Sequence, residues 1–137
     1  MKKEFVSYKM ALVLKELEFD KPCFTYYYNV SSKLRTDISV NIDNGWTYFP
    51  NKKLITLAPT FSQAFRFFRE QFNWQASIEA TKDQHSHELG YNYWIWNSET
   101  GLEYHTMPMN KPSGDWMFKT YEEAEIACLI KLIEINS

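Results

Sequence analysis

Apolar residues recur along this chain at two spacings, one helical and one extended, and the changes between them mark its elements. From Tyr8 to Leu17 the residues Met10, Val13, Leu14 and Leu17, with Ala11 at the edge, form one stripe at the 3.6-residue period. Ser7 stands ahead of it as an N-cap, and Pro22 blocks any continuation. A second helix is predicted after Pro59, where Thr60-Phe61-Ser62-Gln63 has the form of a capping box. Phe61, Ala64, Phe65, Phe68 and Phe72 then share one narrow face, Phe67 points away with Gln63 and Glu70, and Asn73 serves as terminator. The third helix follows Thr120, whose hydroxyl can accept from the N–H of Glu123 while the Glu123 carboxylate reaches back to the N–H of Thr120. Glu122, Glu123 and Glu125 suit the positive end of its dipole. Tyr121, Ala124, Cys128, Leu132 and Ile135 fall on one face, and Ile126, Leu129, Ile130 and Ile133 form a second apolar arc. A helix this apolar around its girth is packed between other elements or gives its second face to a partner.

Strand periodicity occupies the intervals. Pro22 to Tyr28 reads as a strand with aromatic residues on both faces. Ile38, Val40 and Ile42 alternate with polar residues, and Asn44-Gly45 before Trp46-Thr47-Tyr48-Phe49 is a hairpin signal. Ser31 to Thr36 reads as exposed loop. Ala76, Ile78 and Ala80 alternate with Ser77, Glu79 and Thr81; Tyr91, Tyr93 and Ile95 alternate with Asn92, Trp94 and Trp96. Asn97 to Gly101 is a turn, Leu102 to Met107 returns as the hairpin partner, and Asp115 to Lys119 is a short edge strand. The expectation is an α+β fold, a mostly antiparallel sheet packed against about three helices, with a C-terminal half in the order α-β-β-β-α. Residues 1–137 are expected to form a single domain.

That C-terminal order, over residues 60–135, resembles the topology of double-stranded-RNA-binding domains. In that family a basic cluster at the start of the last helix carries RNA binding, and here that place holds Glu122, Glu123 and Glu125. Three acids facing phosphates oppose the counterion release that drives such binding. Other stretches resemble a group of small uncharacterised proteins from gut bacteria and their phages and prophages. They are Phe5-Val6-Ser7-Tyr8 leading to Phe19-Asp20-Lys21-Pro22-Cys23-Phe24, the helix Ser62 to Glu70, and Thr120 to Glu125, about 40 residues in all. The resemblance implies no activity. It implies a setting, a short accessory gene of a mobile element whose product contacts a host protein. The insert Ser31 to Lys53 lies outside the shared pattern.

Composition sharpens this picture in one respect. Ten phenylalanines, nine tyrosines and five tryptophans make 18% of the 137 residues, more than a core of this size absorbs. Exposed aromatics mark contact surfaces, so Trp94 and Trp96, on one side of their strand, are candidates for an interface, together with Phe67, Ile126, Ile130 and Ile133. Two readings of the Trp94/Trp96 face stand at this point. It is an open platform for a protein, a base or a small ligand, or it is covered by a second layer or by the insert. The formal net charge of −2 gives no long-range attraction for phosphates. Lys33, Arg35, Lys52 and Lys53, with Arg66 and Arg69, are the local basic residues that a nucleic-acid contact would use.

Candidate chemistry adds little. His85, His87 and Glu88 fall short of a zinc site, which takes four ligands, or three and a water. Cys23 and Cys128 lie in no CxxC pattern and read as buried thiols, and nothing around Cys23 and His105 supports a thiol triad. The four glycines are scattered at turns, so no loop cradles a phosphate. The expectation is no catalysis, no metal and no cofactor. No apolar run reaches the ~18 residues of a membrane span. Met1-Lys2-Lys3 is followed by no long apolar stretch or cleavage site, so the expected compartment is the cytoplasm. The expected function is binding of a protein partner, with a homodimer as another use of the same apolar surface. Nucleic-acid binding and small-ligand binding are the alternatives.

Overall fold

The computed structural model describes residues 4–21, 23–40, 55–82, 86–106 and 118–137, and for Phe24 and residues 35–40 the backbone alone. Three helices and six strands follow in the order α1 (Tyr8–Glu16), β1 (Cys23–Tyr28), β2 (Leu34–Val40), β3 (Ile55–Leu57), α2 (Phe61–Phe72), β4 (Trp74–Lys82), β5 (Leu89–Asn97), β6 (Glu103–His105) and α3 (Tyr121–Asn136). The fold is α+β, as expected, but its strands form two antiparallel three-stranded sheets, β2-β1-β3 and β4-β5-β6. The chain divides into two compact units, residues 1–64 with 136–137, and residues 65–135, so the boundary falls inside α2.

In the first unit β1 is central, and its side chains are buried toward both faces: Tyr26 on one, Thr25 and Tyr27 on the other. Burying a phenol or a hydroxyl requires a partner. The Tyr27 hydroxyl donates to the Val6 carbonyl at 2.7 Å, and Thr25 Oγ1 donates to the Ala58 carbonyl at 2.6 Å. Helix α1 starts where Ser7 Oγ accepts from Met10 N–H at 3.3 Å. It buries Met10, Ala11 and Leu14, so the stripe runs through Ala11, while Val13 and Leu17 are half-buried. Its Tyr8 ring meets Tyr27 edge-on at 5.4 Å. The expected loop at Ser31–Thr36 is shorter than predicted, because β2 already begins at Leu34. The Asn44-Gly45 hairpin lies outside the described residues.

Helix α2 carries the complete reciprocal capping box. Gln63 N–H donates to Thr60 Oγ1 at 3.2 Å, and Thr60 N–H donates to Gln63 Oε1 at 3.0 Å. Asn73 ends the helix in the left-handed region, φ 61°, which asparagine tolerates better than most side chains. In α3 the box is shifted. Thr120 Oγ1 accepts from Glu123 N–H at 3.1 Å, but the Glu123 carboxylate accepts from Lys119 N–H, one residue earlier than expected.

In the second unit β4 and β5 pair over nine residues in unbroken register, from Trp74↔Asn97 to Lys82↔Leu89. Side chains alternate across a strand and share a face with their cross-strand partners, so the register sorts the sheet. Trp74, Ala76, Ile78, Ala80, Tyr91, Tyr93, Ile95 and Tyr104 lie on one face; Gln75, Ser77, Glu79, Asn92, Trp94, Trp96, Glu103 and His105 lie on the other. Phe118 bridges to Tyr91 through two backbone hydrogen bonds of 2.8 and 3.1 Å. The turn after β5 is fixed by Asn97, whose Oδ1 accepts from Glu99 and Thr100 N–H and whose amide donates to the Phe72 carbonyl.

Candidate functional site

Helix α3 covers the first of these faces. The Tyr121 ring meets Tyr91 edge-on at 6.0 Å, and Lys131 Nζ sits 5.0 Å from the centre of the Tyr104 ring. The Tyr93 phenol is pushed up by burial first, with Cys128 and Glu134 close enough to add to the effect. Ala124, Cys128, Leu129 and Leu132 on α3 and Ile95 on β5 are fully buried. Of the aromatic residues on this face Trp74 is buried, and Tyr91, Tyr93 and Tyr104 are half-buried beside α3.

The other side of α3 faces outward. At ~100° per residue Ile126 and Ile130 lie about 160° from the direction of Cys128 and Leu132. They are 41% and 43% exposed, and Ile133 beside them is half-buried. Exposed Glu122, Glu123 and Glu134 border this short ridge. Glu125, half-buried, has its carboxyl raised above the usual range, by burial first and then by Glu122.

Phe67, expected to project from α2, is instead 3% exposed. Its ring packs edge-on against Phe68 at 5.5 Å and Phe72 at 5.6 Å. The buried arc of α2 is Phe61, Ala64, Phe67 and Phe68, with Phe65 and Phe72 half-buried, so it is turned roughly 45° from the predicted stripe. Phe67 is core, not interface.

The outer face of the β4-β5-β6 sheet, the one opposite α3, carries the two remaining candidates; Asn92 on it is buried. Trp94 and Trp96 are half-buried, with ring centroids 4.9 Å apart, and His105 stacks on Trp94 at 5.2 Å and 18°. The His105 ring also lies 3.3 Å from the Glu103 carboxylate. Glu79 and Glu103 are exposed. Trp94 is in register with Ser77 on one side and His105 on the other. Ser77 Oγ and Trp94 Nε1 are both buried atoms with no hydrogen-bond partner among the described residues. Sequence periodicity marks this face through Trp94 and Trp96. Glu79, Glu103 and His105 join it only through the strand register, which spacing along one strand does not show.

The basic residues are differently disposed. Arg66 is in an exposed ion pair with Glu70 at 2.7 Å, one helical turn away, which holds its guanidinium above its ordinary range. Arg69 is exposed on α2, and Lys33 is exposed in the turn before β2. Arg35 lies on β2 opposite Tyr26, and Lys52 and Lys53 fall outside the described residues. Both cysteines are free and buried, their thiols pushed up to about 12, by desolvation first in each case. A thiol in that state is a poor nucleophile near neutrality. His87 is exposed, and His85 lies outside the described residues. Among the described residues no helix is long and apolar enough to cross a membrane.

The structure thus defines an α+β protein whose second unit has one sheet face under a helix and the other lined by tryptophan and carboxylate. Comparison with known protein families, with curated proteins and with solved structures finds no match for the chain.

Proposed function

We propose that this chain is a non-enzymatic protein-binding accessory factor, encoded by a phage or other mobile element and acting on a host defence protein. The observation that supports this reading is the outward pair Ile126 and Ile130 on a helix whose opposite side is fully buried. Two adjacent branched aliphatics, held in place by a buried helix and bordered by acids, form a small preorganised anchor with a polar rim. The acids favour a partner that is not a second copy. A two-fold dimer through this ridge sets Glu122, Glu123 and Glu134 against themselves. The mobile-element setting rests on the resemblance of the terminal and α2 segments alone.

The test is affinity capture from a host lysate with the wild-type chain and with Ile126→Glu/Ile130→Glu, beside light scattering of both purified proteins. The expected result is a monomer that retains a specific protein, lost with the double variant while the circular dichroism spectrum is unchanged. Equal capture by both chains, or none by either, contradicts the proposal. A dimer dissolved by the double variant assigns the ridge to self-association.

A further inference from the structure

We propose that the outer face of the β4-β5-β6 sheet recognises an arginine side chain in an extended segment of a protein partner, an inference that rests on the protein-binding reading. The face is built from two features that each favour a guanidinium. One is aromatic: Trp96, Trp94 and His105 form a continuous row of rings across β5 and β6, with centroid spacings of 4.9 and 5.2 Å. An indole offers the best π-face for a cation. The other is charge. By register, the described outer-face positions of the three strands include Glu79 and Glu103, both exposed, and no lysine or arginine. Lys82, at the end of β4, belongs by alternation to the opposite face.

Such a face is mismatched to the other ligands that stack on aromatic rings. A nucleic-acid strand brings bases that stack, but also phosphates that two carboxylates repel. A small organic cation is held well by a concave cage, and a sheet face with half-buried rings is not one. An arginine satisfies both features at once. Its planar guanidinium lies flat on an indole while its edge donates in a fork to a carboxylate, which an ammonium does not reproduce.

The probe is the capped peptide Gly-Arg-Gly-Arg-Gly, titrated into the full chain and followed by the assigned indole N–H signals in nuclear magnetic resonance. Its isosteric citrulline counterpart and an oligothymidylate are titrated in parallel. The arginine peptide is expected to shift Trp94 and Trp96, more weakly as salt rises, with the citrulline peptide at least about 10-fold weaker. Glu79→Gln/Glu103→Gln, at exposed positions, lowers affinity by about 5-fold without changing the fold. Equal binding of the citrulline peptide, no shift at Trp94 and Trp96, or tighter binding of the oligothymidylate each overturns the proposal. Ile126→Glu/Ile130→Glu separates the two readings: capture that depends on the ridge, with no peptide shift at the tryptophans, removes the arginine surface and leaves protein binding standing.

Discussion

Truncating neighbouring residues of α3 tests which of its sides is structural. Leu132 is fully buried with Cys128 and Leu129 against a sheet face filled by tyrosine rings, whereas Ile130, two positions earlier, is 43% exposed. Leu132→Ala removes three carbon atoms from a site whose rigid aromatic neighbours collapse poorly, so its cost belongs in the upper part of the 2–5 kcal/mol range, about 3–4 kcal/mol. Ile130→Ala loses only the covered part of the side chain, roughly 1 kcal/mol, and regains about 0.4 kcal/mol because alanine is the better helix former. The assay is urea unfolding followed by far-ultraviolet circular dichroism and tryptophan fluorescence, at two protein concentrations. At a slope of about 2 kcal/mol/M, Leu132→Ala lowers the midpoint by roughly 1.5–2 M and Ile130→Ala by less than ~0.5 M. Equal losses independent of concentration refute the assignment of sides. Equal losses that grow with concentration show that a second copy covers the ridge, and remove the argument for a foreign partner there.

Two further outcomes follow from the buried thiols and from the α2 cap. Cys23 and Cys128 should resist a thiol reagent at about pH 8 in the folded chain and react fully in denaturant. Their folded pKa values, about 12, lie above the ordinary 9.0, so their contribution to stability is intact below 9.0 and lost as pH rises toward 12. The phenols of Tyr27, Tyr93 and Tyr121, also raised by burial, act in the same direction above 10.0. A urea midpoint that stays flat between pH 8 and about 11 contradicts this linkage. Thr60→Ala removes the hydroxyl arm of the reciprocal cap, the acceptor of Gln63 N–H, and is expected to cost about 1–2 kcal/mol; Gln63→Ala removes the other arm, which the backbone N–H of residue 60 donates, and the two losses at one helix end are expected to sum to less than their separate costs. Full additivity in that double-mutant cycle argues against the box.

The elements that were legible in the sequence are those with local signals long enough to repeat. The three polar N-caps at Ser7, Thr60 and Thr120, the Asn73 stop and the alternation of β4 and β5 are written in neighbouring residues. Ile55-Thr56-Leu57 was not legible, because a three-residue strand buried along its whole length shows no alternation. The separation into two sheets was not legible either, since periodicity reports a strand's faces and not its neighbours. The error at Phe67 has a particular origin. Five phenylalanines and one alanine surround much of α2, so several stripes fit the helical period, and the buried one is selected by tertiary packing. For the aromatic face the sequence left two readings. The register decides which residues share it, and α3 takes the tyrosine side, leaving Trp94 and Trp96 with the carboxylates.

The ridge on α3 and the tryptophan row are too far apart to be one patch. Within the second unit, α3 lies on the tyrosine face of the sheet and Ile126 and Ile130 point away from it, while Trp94 and Trp96 lie on the sheet's other side. A helix layer on a sheet layer places these surfaces on opposite sides of a slab roughly 20 Å thick. A flat interface of ordinary size, about 800 Å² on each partner, covers one side of such a slab and does not reach the other. A partner that uses both must send an extended segment around the edge of the unit, and the arginine-bearing segment proposed for the sheet face is of that kind. With no shared contacts, substitutions at the two surfaces are expected to combine additively in binding energy, within about 0.5 kcal/mol. Measured coupling well beyond that in the quadruple variant, Ile126→Glu/Ile130→Glu with Glu79→Gln/Glu103→Gln, means that the two faces respond to each other through the layer between them. The buried Cys128, Leu132 and Ile95, with the half-buried Tyr93 beside them, are the first place to look for the cause.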